Sequence, residues 1–88
     1  MANENVNSSP ITLFEKYYLN LGASLLLMNS NAESKDAKSN NLNYGKACVY
    51  AEILKDMGHK VELNVYVNDS KYLVTDKWKL DGREHNNV

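Results

Sequence analysis

The sequence predicts an α+β fold in which two helices pack on one face of an antiparallel β-hairpin, in the order α-α-β-β. Two stretches place apolar residues at spacings of three and four, which is typical of amphipathic helices. Residues 60–80 alternate apolar and polar side chains around a polar turn, which is typical of a half-buried hairpin. An isolated hairpin is only marginally stable, so the helices are expected to cover its apolar face.

The first helix is predicted to begin between residues 9 and 12. Ser9 can cap it with Pro10 at the first helical position. Thr12 can cap it instead, with Glu15 three residues later as a capping box. The predicted core stripe of this helix is Phe14, Tyr17, Tyr18, Leu21, Leu25 and Met28. Further leucines fall off the stripe at positions 13, 26 and 27, which predicts burial on two sides or against another chain.

The second helix is predicted to follow a long polar segment. Asn29–Asn43 is almost entirely polar, so we predict a flexible surface loop there. Asn41 or Asn43 would then cap the helix, and Gly58 would end it in the left-handed conformation. Its apolar stripe is Tyr44, Ala47, Cys48, Ala51 and Leu54. Within this stripe the single cysteine is expected to be buried as a small apolar side chain.

The hairpin is predicted to turn at Asp69-Ser70, or at Asn68-Asp69, and either turn separates its two faces by polarity. The side chains predicted to be buried are Val61, Leu63, Val65, Val67, Val74 and Trp78. The outer face pairs Tyr66 with Leu73, Asn64 with Thr75 and Glu62 with Lys77, and Lys60, Lys71 and Lys79 are also predicted to be exposed. Asp76 breaks the apolar pattern. It is expected to bond a tyrosine hydroxyl, a lysine or a backbone N–H, or else to line a pocket or contact a partner.

Composition limits the classes of function. The formal net charge of −1 argues against nucleic acid and other polyanionic partners. The most apolar run, residues 21–28, is far shorter than a bilayer requires, so no membrane association is expected. One cysteine and two isolated histidines predict no disulfide, no metal site and no cofactor. The N-terminus lacks the pattern of a secretory signal, so a cytoplasmic location is expected.

We predict three parts: a flexible N-terminal tail over residues 1–8, a single small α+β domain over 9–80, and a polar C-terminal tail over 81–88. The abundance of asparagine, and of lysine over arginine, is typical of AT-rich coding DNA, as in low-GC bacteria, their phages and plasmids. No catalytic constellation is visible, so a non-enzymatic function is expected.

The functional prediction is a protein-binding module that contacts a protein partner or a second copy, as a homodimer. It would be a regulator or inhibitor of a host protein, encoded by a phage or mobile element. The contact surface would be the first helix or the outer face of the hairpin, whose strand Lys71–Leu80 is predicted to be an unprotected edge. The candidate partner-binding residues are Tyr66, Leu73, Lys71, Lys77 and Asp76. The alternative is a nucleic-acid or small-ligand binding module that uses Tyr66, Tyr72, Trp78, Lys71, Lys77 and Lys79.

Overall fold

The computed structural model describes residues 11–87 and has the predicted α+β class, with two helices that precede an antiparallel sheet. The elements in chain order are α1 (Leu13–Glu33), α2 (Ala37–Asp56), β1 (Val61–Leu63), β2 (Tyr66–Val67), β3 (Leu73–Val74), β4 (Lys77–Leu80) and β5 (Arg83–Asn86). Strands β1, β4 and β5 form a three-stranded sheet in which β4 is central, and β2 pairs with β3.

Helix α1 begins at the second of the two predicted caps. The Thr12 side chain accepts a hydrogen bond from the backbone N–H of Glu15 at 3.1 Å. The Glu15 carboxylate in turn accepts from the Thr12 backbone N–H at 3.0 Å, which completes a capping box. The predicted Ser9-Pro10 start and the predicted N-terminal tail lie outside the described residues.

The loop predicted over Asn29–Asn43 is wrong, because both helices extend into it. Only residues 34–36 connect α1 to α2. Lys35 takes the left-handed conformation with φ 59°. The two backbone bonds of a Schellman turn then form, from Asp36 N–H to the Asn31 carbonyl at 2.9 Å and from Lys35 N–H to the Ala32 carbonyl at 3.2 Å. A tight turn therefore replaces the expected loop.

Helix α2 begins five to seven residues earlier than a cap at Asn41 or Asn43 would place it. Its cap is Asp36, whose carboxylate accepts the Ser39 backbone N–H at 3.1 Å. That bond holds the pKa of Asp36 below its ordinary value. The predicted end at Gly58 is confirmed: its φ is 98°, and the His59 N–H bonds the Leu54 carbonyl at 3.0 Å.

The hairpin is antiparallel as predicted, but its register differs. Val61 lies opposite Leu80 instead of Trp78, a shift of two residues, and Tyr66 lies opposite Val74 instead of Leu73, a shift of one. The two registers meet where residues 64–65 lie opposite residues 75–77, so one strand carries an extra residue, as in a bulge. Thr75 fills this junction and is fully buried, although it was predicted on the outer face. Its hydroxyl bonds the carbonyls of Asn64 and Lys77, each at 2.9 Å.

The polar C-terminal tail predicted from residue 81 is wrong, because it contains strand β5. Asp81 and Gly82 both have positive φ, at 52° and 82°, and join β4 to β5 in a two-residue turn. Positive φ at both central positions is the conformation for which Asp-Gly is favoured in hairpins. The dipeptide was therefore an available signal for this strand.

The core lies between the two helices and the three-stranded sheet. Its buried apolar residues are Leu21, Leu25, Met28, Ala47, Ala51, Leu54, Val61, Trp78 and Leu80. Burial of Val61 and Trp78 confirms the prediction, whereas Leu63, Val65 and Val74 are only half-buried. The prediction for Val67 is wrong, since it is 57% exposed, and Lys79 is half-buried instead of exposed. Cys48 is also half-buried.

Asparagine side chains connect α1 to the irregular strand junction and to the end of β5. The Asn29 amide nitrogen donates to the Thr75 carbonyl at 2.7 Å, and its oxygen accepts the Thr75 N–H at 3.0 Å. Asn87, which is almost fully buried, donates to the Leu25 carbonyl at 3.0 Å. The Asn29 bonds satisfy the backbone groups of Thr75 at the break between β3 and β4, and the Asn87 bond ties the end of β5 to α1. Neither described helix offers an apolar run of the length that a bilayer requires.

Candidate functional site

Two of the predicted partner-binding residues lie together: Tyr66 on β2, and Asp76 in the segment between β3 and β4. The Tyr66 hydroxyl lies 3.2 Å from one Asp76 carboxylate oxygen and 3.3 Å from the other. Asp76 is exposed, and a tyrosine hydroxyl is one of the partners expected for it. Partial desolvation, and then the negative charge of Asp76, raise the pKa of Tyr66 above its ordinary value. This pair is a polar contact that orients an exposed ring.

Leu73 does not form the open edge that was predicted for it. It is half-buried, its cross-strand neighbour is Val67, and both of its backbone polar groups bond the side chain of Asn40. The rest of the predicted edge, β4, lies between β1 and β5. The prediction of an unprotected strand over Lys71–Leu80 is therefore wrong.

The two predicted lysines lie apart from each other. Lys71 lies in the turn between β2 and β3, is exposed and has φ 73°. Lys77 begins β4, and its ammonium lies 3.3 Å from the Glu84 carboxylate. Trp78 is only 4% exposed, so the aromatic platform of the alternative nucleic-acid hypothesis is in the core.

An apolar surface lies on α1, outside the hairpin residues that the sequence predicted. Leu19 and Leu26 are 55% and 51% exposed. Positions 19, 23 and 26 share one side of the helix, because residues three and four apart are neighbours. With the core edge beside them they line a groove of about 300 Å³, which we call the α1 groove: Tyr18, Leu19, Gly22, Ala23, Leu26 and Trp78.

The lack of a side chain at Gly22 keeps the α1 groove open. A Cβ built at this position would lie 3.8 Å from the Trp78 ring. That distance is ordinary van der Waals contact, so a methyl group at position 22 would fill part of the groove floor without a clash. Leu26 lies off the predicted core stripe, which predicted that this helix has more than one apolar side. In the structure it lines the α1 groove.

A second apolar surface lies on α2, and the sequence did not predict it because Leu42 was assigned to a loop. Leu42 and Val49 are seven residues apart and both are more than half exposed. Between them, Gly45 and Lys46 complete a groove of about 510 Å³ whose lining also includes Asn41 and Tyr50. We call it the α2 groove.

The described residues hold no cluster of metal-ligating side chains at these grooves. No group of three histidine, cysteine, aspartate or glutamate side chains converges within residues 11–87. The Cys48 thiol faces the Tyr44 hydroxyl, and this contact raises the pKa of Tyr44. Large, exposed aliphatic side chains around a concave floor can instead accept an apolar side chain of a partner.

No protein-family model, curated protein or solved structure matches this chain.

Proposed function

We propose that this chain is a small non-enzymatic protein-binding module whose main contact surface is the α1 groove. The observation that carries the proposal is the pair Leu19 and Leu26, each more than half exposed on the rims of a groove with Gly22 and Trp78 at its floor. Burying such side chains against a partner contributes about 25 cal/mol for each Å² of apolar surface removed from water. The partner is a protein with a protruding apolar residue, and a second copy of this chain is one such protein.

Size and composition support a narrower version of the proposal. In it the chain is a regulator or inhibitor of a host protein and is encoded by a phage or mobile element. The AT-rich coding bias supports that origin, and the near-neutral charge favours a protein partner over a polyanion.

The test is affinity capture from a host lysate, followed by binding measurements with the purified captured protein. The disruptive variant is the double substitution Leu19→Glu with Leu26→Glu, which introduces charge on both rims. Val67→Glu is the matched control, because Val67 is equally exposed but lies on β2, outside the groove. We expect the double variant to lose binding and the control to retain it. Circular dichroism should show that both variants are folded.

Self-association is measured in parallel by sedimentation at micromolar concentration, where one chain has a mass of 10.0 kDa. A dimer that the double variant converts to monomer would identify a second copy as the partner. Loss of binding in Val67→Glu or Tyr66→Ala, with the double variant intact, would move the contact to the hairpin and overturn the groove assignment. Loss only in a Lys71, Lys77 and Lys79 triple alanine variant would favour a polyanionic ligand instead.

A further inference from the structure

A separate cavity lies between the start of α1 and the turn that joins β4 to β5. Its volume is about 400 Å³, within the range of small-molecule sites. We call it the aromatic cavity, and it is lined by Phe14, Tyr18, Leu80, Asp81, Arg83 and His85. None of these residues belongs to the hairpin site that the sequence predicted.

One wall of the aromatic cavity consists of aromatic rings. The rings of Phe14 and Tyr18 are one helical turn apart, with centroids separated by 5.8 Å and planes only 6° apart. The His85 ring lies beside this pair, with its centroid 5.5 Å from that of Tyr18 and its plane tilted by 56°, and it stacks on Trp78 at 4.5 Å. Near-parallel ring faces offer a planar ligand a large apolar contact at a low cost in side-chain entropy.

The aromatic cavity is lined by one cationic side chain, Arg83, and one anionic side chain, Asp81. The Asp81 carboxylate is already bonded through both oxygens, to the Lys60 backbone N–H at 2.8 Å and to His59 Nδ1 at 2.7 Å. Arg83 is exposed, and no carboxylate of residues 11–87 lies within 4.0 Å of its guanidinium. A guanidinium binds carboxylate and phosphate groups through two parallel hydrogen bonds.

We propose that the aromatic cavity binds small molecules that combine a planar ring with an anionic group. The ring packs on Phe14 and Tyr18, and Arg83 binds the anion at the mouth. The role of Asp81 is to hold the turn and His59 in place through its two hydrogen bonds. The aromatic cavity and the α1 groove share one lining residue, Tyr18. Substitutions at Arg83 test the cavity and substitutions at Leu19 and Leu26 test the groove, so either proposal can fail without the other.

The experiment is a titration of the full chain with phenyl phosphate, followed by amide chemical shifts in two-dimensional NMR. Inorganic phosphate and benzyl alcohol are titrated separately as the anion and the ring alone. We expect phenyl phosphate to shift the amides of Tyr18, Gly82, Arg83 and His85, and to bind at least tenfold more tightly than either fragment. Absence of shifts at these positions at millimolar phenyl phosphate would overturn the proposal.

Two variants separate the anion contact from the ring contact. Arg83→Gln should weaken the binding of phenyl phosphate about tenfold or more, because a charge-assisted pair is lost. The binding of benzyl alcohol should not change. Phe14→Leu should weaken the binding of phenyl phosphate and of benzyl alcohol but not the binding of inorganic phosphate. Lys79→Gln, on the opposite face of β4, is the matched control and should change nothing. Equal losses in Arg83→Gln and Lys79→Gln would show unspecific attraction to charge and would refute the site.

Discussion

The side-chain amide of Asn40 pairs with both backbone polar groups of Leu73. Its nitrogen donates to the Leu73 carbonyl at 2.9 Å, and its oxygen accepts the Leu73 N–H at 3.0 Å. The same nitrogen also donates to the Met28 carbonyl at 2.9 Å, so one side chain links α1, α2 and β3. An amide has the same donor and acceptor as a peptide group, so Asn40 replaces the neighbouring strand that β3 lacks.

We predict that Asn40→Ala lowers the free energy of unfolding by about 2 to 4 kcal/mol, because it leaves buried backbone groups without partners. Asn40 is only 2% exposed. Asn41→Ala is the matched control, since Asn41 is exposed on the same helix, and should change stability by less than about 0.5 kcal/mol. Urea denaturation followed by circular dichroism measures both. Equal effects would show that the Asn40 contacts are not stabilising.

We predict that Trp78→Ala destabilises the fold by about 3 to 5 kcal/mol, as large-to-small substitutions in a core do. The Trp78 ring packs between α1 and β5, and its centroid lies 6.0 Å from that of the Tyr18 ring and 4.5 Å from that of the His85 ring. Thermal unfolding by circular dichroism is the measurement, because the variant has no tryptophan fluorescence. A nearly unchanged midpoint would be incompatible with a buried ring.

We predict that Lys35→Gly stabilises the protein by about 0.5 to 1 kcal/mol. Lys35 is exposed and takes φ 59° in the turn between the helices, where a Cβ is disfavoured by more than glycine loses in backbone entropy. Lys46→Gly in the middle of α2, where the side chain is also exposed, is the control and should destabilise by a similar amount. Chemical denaturation compares the two, and destabilisation by Lys35→Gly would contradict the left-handed turn.

The stability that Asp81 contributes should depend on pH at the acidic end. The Lys60 N–H and then the His59 ring lower the pKa of Asp81 below its ordinary value of 3.8. A carboxyl group whose pKa is lowered by folding stabilises the fold above its unfolded-state pKa, and loses that effect as the pH falls through its folded-state pKa. Wild type should therefore exceed Asp81→Asn in stability above pH 3.8, and the difference should shrink at lower pH.

Urea denaturation at a series of pH values measures this difference. Asparagine also tolerates the left-handed conformation of position 81, so the comparison isolates the charge. A difference that grows as the pH falls would contradict the assigned partners of Asp81.

The parts of the fold that the sequence predicted depend on short-range patterns. The capping box of Thr12 and Glu15, the glycine at position 58, and the alternation that buries Val61 and Trp78 were all visible within a few residues. Asp-Gly at 81–82 carried an equally local signal, which the polarity of the following residues obscured.

The candidate site was less predictable, because it depended on which residues are covered. Leu73 was expected on an open edge, and only the approach of Asn40 closes that edge. Leu42 was expected in a loop, and only the early start of α2 places it beside Val49 on an exposed helix side. Hydrophobic spacing predicts that a helix has a second apolar side. It does not predict which element covers that side.

The sequence by itself determined the class of the fold, the core stripe of each helix and the antiparallel hairpin, because these follow from periodicity between near neighbours in the chain. Only the tertiary structure decided which groups the asparagine side chains bond. Asn29 bonds Thr75 across 46 residues, and Asn40 bonds Leu73 across 33. Burial of an amide is costly unless its donor and acceptor are both satisfied. The polar segment Asn29–Asn43 contains the end of α1 and the start of α2, and backbone groups of Thr75 and Leu73 are the partners of its amides.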